Sequence, residues 1–221
     1  FVEIDYTTAR NFYNSNEFKK YLRYTNDGIS VPTIHNLYAV SYLLKNKFIK
    51  KNDIIINGNS GDFISGGHIP NAQIHSKKDI HKLSSLFNSV FEAHFLKHYS
   101  LWQYLVNEKN KKIIKNNLYK QLKSSIKNKK NITAHGILEL LEYENRQAKY
   151  VVNCQRLYDY NKIDWLLPLW NISFVKFWKS VPIEYKLNQM LYKKVLYELN
   201  LGNVWTKEYN ILPYITPKWV I

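Results

Sequence analysis

The stretch "IIINGNSGDFISGGHIP", residues 54–70, holds four of the chain's seven glycines within ten positions and sets one carboxylate, Asp62, among them. Glycine lets backbone N–H groups approach a phosphate closely and turn inward as an anion-binding concavity. Asp62 would repel a phosphate, so its place there makes sense if Mg²⁺ sits between the carboxylate and phosphate oxygens. The competing reading is a structural turn in which Asp62 caps the segment that follows. The loop matches neither G-x-x-x-x-G-K-[ST] nor G-x-G-x-x-G.

Other residues with chemical potential are weaker. His94 and His98 stand at i, i+4 and share one face of a predicted helix, but "HFLKH" lacks the glutamate of H-E-x-x-H. They read as solvated or core histidines rather than zinc ligands, and His35, His68, His75 and His81 are scattered. Ser60 in "GNSGD" falls one residue short of a G-x-S-x-G elbow and is no nucleophile. Cys154, in "VVNCQRL", lies mid-helix where a cysteine packs. Lys207, in "NVWTKEYN", follows the last long helix and would neutralise charge if carried to a phosphate site.

The elements that must position these residues change character along the chain. "FVEIDYT" reads as a short strand, "SNEFKKYLRYT" as a short helix and "GISVP" as a linker. In "TIHNLYAVSYLLKNKFI" the apolar residues Ile34, Leu37, Val40, Leu43 and Leu44 have helical spacing. "IIING" is a continuous apolar run that ends in glycine, as a buried parallel strand and its exit loop do. Strand, helix, strand and Gly-rich loop make an α/β pattern.

From residue 76 onward almost no strand is expected. Ser76 and Asp79 have capping-box spacing ahead of a helix that ends near His98. "NKKIIKNNLYKQLKSSI" is a second helix, and "TAHGILELLEYENRQAKYVVNCQRLYDYN" a longer, bent one. "SFVKFWKSVP" and "KLNQMLYKKVLYELNLG" follow, the last stopped at Gly202. The expected fold is therefore α/β. An incomplete parallel Rossmann-like sheet occupies residues 1–75, with its Gly-rich loop at 57–68, and a mostly helical region fills 76–221.

A chain of 221 residues with 45% apolar content can bury a core, and no apolar run approaches the ~18 residues of a membrane helix. No membrane span and no signal peptide are read, and one cysteine fits a reducing compartment, so a cytoplasmic protein is expected. The net charge of +15 raises nucleic acid as a partner. Lysine and asparagine run together in "NEKNKKIIKNN" and "IKNKKN", however, and only Arg10, Arg23, Arg146 and Arg156 are arginines. Scarce arginine argues against bidentate phosphate and base contacts, and so against nucleic acid.

"IIINGNSGDFISGGH" resembles the second signature of the asparagine synthetase C-terminal (synthetase) domain, an ATP-pyrophosphatase. Gly58, Asp62, Gly66 and Gly67 match it without gaps. Asn57 replaces its serine, Asn59 its acidic residue near the acceptor, Phe63 its glutamate and His68 its tyrosine. "ENRQAKYVVN" resembles the family's helix with an acidic-Arg pair, and "DWLLPLWNISFVKFWKSVPIEYKL" its E-x-R-x-P-F-L-D segment, where Pro168 matches, Leu166 replaces the arginine and Asn171 the aspartate. The loop is most similar to "G-[HN]-S-G-D-F" of asparagine-synthetase-like proteins from surface-polysaccharide gene clusters.

The resemblance implies ATP and Mg²⁺ as cofactors. Asp62 would ligate the metal, Asn57, Gly58, Asn59, Ser60 and Gly61 would line the nucleotide, and Lys207, placed with a one-residue gap, would be the catalytic lysine. It implies a ligase in which a carboxylate or amide on a small-molecule or sugar-linked substrate is adenylated, pyrophosphate leaves, and ammonia or an amine displaces AMP. The family's S-G-G-x-D-S loop does not occur in residues 1–221. The chain, which opens on Phe1, is thus expected to be a C-terminal piece that does not catalyse adenylation alone. No glutaminase domain is present, so ammonia would come from a separate glutaminase or from solution. Two other classes are carried beside the ligase: a basic tRNA-modifying ATP-pyrophosphatase relative, and a non-catalytic scaffold.

Overall fold

The computed structural model describes residues 2–7, 9–28, 30, 33–70, 82–100, 106–127 and 129–205. Helices dominate it. α1 (Ala9–Tyr13), α2 (Asn16–Thr25) and α3 (Ile34–Lys45) precede β1 (Ile54–Ile56) and the short α4 (Gly61–Ile64). Then come α5 (Leu83–Tyr99), α6 (Glu108–Ser125) and α7 (Ala134–Leu141). A π-wound segment (Glu142–Val152) and one 3₁₀ turn (Asn153–Gln155) lead into α8 (Arg156–Asn161). β2 (Asp164–Leu166), α9 (Ile172–Ser180), α10 (Ile183–Lys186) and α11 (Met190–Leu199) complete the order.

Among the described residues the sheet has two strands, β1 and β2, parallel and in register with Ile54 opposite Asp164 and Ile56 opposite Leu166. This agrees with an α/β pattern reduced to an incomplete parallel sheet and a mostly helical remainder, but the second strand comes from residues 164–166 and not from residues 1–75, where the sheet was expected. The expected N-terminal strand does not form. Asp5 instead accepts from Thr7 N–H at 2.8 Å and Thr7 Oγ1 at 2.7 Å, a side-chain turn that leads into α1. The Tyr38 hydroxyl fastens this segment by donating to Asp5 O at 2.9 Å.

β1 is also less buried than its three isoleucines imply. Ile55 and Trp165 turn toward a core formed by Tyr21, Leu37, Val40, Leu157, Tyr158 and Ile163. With a side-chain period of two, Ile54, Ile56 and Leu166 face the other way, and Ile56 is 71% exposed. Among the described residues helices cover one face of the sheet only, so within them the apolar run does not form a strand buried on both sides.

The predicted long helix at 133–161 is one continuous helical run whose winding changes three times. Thr133 starts it by accepting from Gly136 N–H at 3.1 Å. The run touches all three cores. Leu138 and Leu141 pack with Phe87, Val90, Phe91, Leu118 and Leu122 of α5 and α6. Tyr143 meets Phe63, Ile64 and Trp178, and Leu157 closes the core under the sheet. The capping pair Ser76 and Asp79 lies outside the described residues, and α5 is described from Leu83. α11 stops earlier than Gly202: Asn200, at φ 38°, caps it by donating its N–H to Leu196 O. Asparagine tolerates the left-handed conformation that a helix end requires.

Gly66 shows how tightly the loop is held. Its φ is +99°, and a Cβ there would lie 2.2 Å from the backbone oxygen of Lys186. We expect Gly66→Ala to destabilise by about 2–4 kcal/mol, from backbone strain and overpacking together. Gly58→Ala, whose Cβ would meet nothing within 4 Å, should stay within about 0.5 kcal/mol. Urea denaturation midpoints of the two variants check both values.

Candidate functional site

β1 delivers the chain to the site at its C-terminal end, where open parallel sheets bind ligands. Asn57 N–H still pairs with Leu166 O at 3.0 Å, so the turn starts where the ladder ends. Its side chain folds back, accepting from Asn59 N–H at 3.0 Å through Oδ1 and donating to Gln155 Oε1 at 3.3 Å through Nδ2. Ser60 sits at φ 72° ahead of α4 and donates from Oγ to Gln147 Oε1 at 2.8 Å, both groups buried. Gly61 packs so closely on Leu169 that a Cβ would lie 2.5 Å from its Cδ1.

A cleft of about 340 Å³ opens over this turn, lined by Gly58, Asn59, Ser60, Asp62, Arg146, Gln147 and Val151. Four of the residues expected at a nucleotide site from sequence therefore share one wall: Gly58, Asn59, Ser60 and Asp62. Asn57 and Gly61 lie behind them and hold the turn. Lys207, the proposed catalytic lysine, falls outside the described residues. The opposite wall comes from the π segment. Hydrogen bonds that close at i→i+5 bring residues four or five apart onto one face, which is the spacing of Glu142, Gln147 and Val151 with Arg146 beside them. Among the described residues the buried Gln147 Nε2 has no hydrogen-bond partner.

Beside the cleft lies a second group of polar residues. His68 is bonded at both ring nitrogens, Nε2 to Asp62 Oδ2 and Nδ1 to Glu142 Oε2, each at 2.9 Å. Only an imidazolium can donate to both carboxylates at once. Burial opposes its protonation, but the two hydrogen bonds outweigh burial and raise the pKa above 6.5. The same bond from His68 is the main cause of a lowered Asp62 pKa, with Arg146 adding to it.

Glu142 is 1% exposed. Burial alone would raise its pKa, yet hydrogen bonds from His68 and His98, with the charge of Lys97, hold it well below the ordinary carboxylate range. Its Oε1 contacts His98 Nε2 and lies 3.8 Å from His94 Nδ1, and its Oε2 lies 3.3 Å from Lys97 Nζ. Burial lowers the His94 pKa to about 4, so that ring is neutral at physiological pH. His94 and His98 thus share a face as their spacing requires, but the residue that joins them comes from another helix.

Gln147 and Glu142 were not singled out from sequence, while Arg146 entered only through the resemblance to a helix with an acidic-Arg pair and His68 only as a scattered histidine that replaces a tyrosine. Arginine's scarcity was a usable signal, since Arg146 and Arg156 stand in one helical run of a lysine-rich chain. Cys154 is half-buried, and burial raises its thiol pKa, as expected of a packing residue.

His68 stability linkage has a definite sign. Its raised pKa gives stability that is full below pH 6.5 and lost as pH rises through the folded value. The lowered Asp62 pKa gives stability present above pH 3.8 and lost as pH falls through the folded value. The stability difference between wild type and His68→Gln should therefore peak between about pH 4 and 6.5 and shrink on either side, as read from denaturation midpoints across pH.

The described helices include none long and apolar enough to cross a membrane. Comparison with curated proteins and with solved structures gave no match. The model of the family Asparagine synthase matches residues 5–200, nearly the whole chain, including the Gly-rich loop, the π segment and both strands. The chain belongs to the asparagine synthase family, whose general chemistry is ATP-dependent amide bond formation.

Proposed function

We propose that the cleft over the Gly-rich turn binds the phosphates of ATP with Mg²⁺, and that the protein adenylates a carboxylate or amide that is then aminated. The observation that carries this is the convergence of Gly58, Asp62 and Arg146 on one cleft at the carboxyl end of a parallel strand. In the reaction a substrate oxygen bonds to the α-phosphorus as the bond to the leaving pyrophosphate breaks. Ammonia or an amine then attacks the activated carbon, AMP leaves with the electron pair, and nitrogen loses a proton.

The residues present fit such a ligand. The Asp62 side chain is 62% exposed and held anionic, the state that can ligate Mg²⁺. Mg²⁺ would supply charge neutralisation at the leaving phosphates. Arg146 adds a fixed positive fork to the same cleft, and Gln147 Nε2 adds an unspent donor. Gly58, with open space where a Cβ would stand, leaves backbone accessible to a phosphate. Asn59 lies on the wall where the family has an acidic residue. Its neutral amide favours an acceptor lacking a free amino group, and a sugar-linked carboxylate or amide from surface-polysaccharide synthesis meets that requirement. Lys207 remains the proposed catalytic lysine, and a separate glutaminase the proposed ammonia source.

Asp62→Asn keeps an acceptor for His68 but removes the charge. ATP–pyrophosphate exchange by the intact protein with its acceptor should fall by about 10²–10³-fold in this variant. Arg146→Met should raise the KM for ATP more than it lowers kcat. Unchanged exchange in Asp62→Asn would overturn the assignment of Asp62 to the metal.

A further inference from the structure

We infer that His94, His98 and Glu142 form a site for a divalent transition-metal ion of the zinc class, separate from the Mg²⁺–nucleotide position. One ligand atom from each lies within 4.8 Å of the other two. His94 and His98 come from one face of α5, a turn apart, with ring centroids 4.6 Å from each other. Glu142 enters from the start of the π segment.

Two features distinguish this from a buried ion pair. The His94 side chain is 1% exposed, and neither of its ring nitrogens has a hydrogen-bond partner among the described residues. Pairing His98 with Glu142 satisfies the carboxylate but leaves that imidazole desolvated and unused, whereas a metal ion takes one of its nitrogens directly. Next, the carboxylate is divided. Oε1 faces the two histidines, while Oε2 is engaged by His68 and by Lys97. Ligating carboxylates are commonly held by such outer hydrogen bonds, which orient them. Lys97 lies on the far oxygen, away from the two histidines, with its side chain partly in solvent.

The donor set also selects the ion. Two imidazoles and one carboxylate suit Zn²⁺ and its neighbours, whereas Mg²⁺ prefers oxygen ligands alone. Three protein ligands leave a fourth position for water or a substrate group, the pattern of catalytic rather than closed structural zinc sites. The ion would tie α5 to the π segment and fix the carboxylate that orients His68, and through it Asp62 at the cleft. Occupancy of the new site would thus position the nucleotide-side carboxylate without touching it.

The test is metal binding by the intact protein, stripped with a chelator and titrated with Zn²⁺ by competition calorimetry and with Co²⁺ by visible absorption. Wild type should take up one equivalent of Zn²⁺ and show Co²⁺ ligand-field bands. His98→Ala and Glu142→Gln should each weaken Zn²⁺ binding by at least about 100-fold and abolish those bands, while His68→Ala weakens it by about 10–100-fold and retains one equivalent. His135→Ala, which alters a histidine on α7 outside the cluster, should leave binding unchanged. If Glu142→Gln loses its circular dichroism, His98→Ala and the donor-restoring His98→Cys carry the test, and His98→Cys should recover the bands. Absence of one-equivalent uptake, or uptake unchanged in His98→Ala, would overturn the site.

Discussion

A single buried carboxylate organises the functional half of this molecule. Moving an ionised carboxylate out of water is tolerated only when opposite charge and hydrogen-bond donors surround it. Glu142 meets that demand by drawing in His68 from the end of the Gly-rich loop and Lys97 and His98 from α5. Two segments far apart in sequence are thereby fixed against the helix that carries Glu142. His68, held at both nitrogens, then passes the constraint to Asp62. The geometry of the cleft rim depends on a charge that never reaches it.

The helical run at 134–161 converts that local demand into a fold. Its first turns pack into the α5–α6 core, its middle meets the Trp178 cluster and its end closes the core beneath the sheet. Loosened winding in the middle serves the site. It sets Glu142, Arg146, Gln147 and Val151 toward the Gly-rich turn, and the Ser60–Gln147 bond ties turn and helix together across 87 residues of sequence. π winding is uncommon in soluble proteins and recurs at functional sites. Here it carries both the residues that hold the loop, Glu142 and Gln147, and those that line the cleft, Arg146, Gln147 and Val151.

The two carboxylates close to His68 have different work, and their environments say which. Asp62 keeps most of its side chain in solvent on the cleft wall, free to meet a cation that arrives with a ligand. Glu142 is sealed among histidines, which suits a resident ion or a fixed structural charge. If both proposed sites are filled, a solvent-facing oxygen site and a buried nitrogen-rich one would keep hard and borderline metal ions apart by donor chemistry.

The sequence by itself determined the local elements and the loop. Glycine spacing after an apolar run marks a strand end, helical spacing of apolar residues marks α3, and the position of Asp62 among glycines marks a polar rim. Period and turn chemistry are local, so they can be read without knowing what lies across the fold. Tertiary structure decided everything that needed a partner. "FVEIDYT" reads as a strand, yet among the described residues no strand pairs with it, and β1 reads as doubly buried, yet within them one of its faces stays open. The spacing of His94 and His98 said only that they share a face. Glu142, 44 residues beyond His98, reaches them because the helix bearing it must bury its apolar side against α5, and no sequence spacing encodes that meeting.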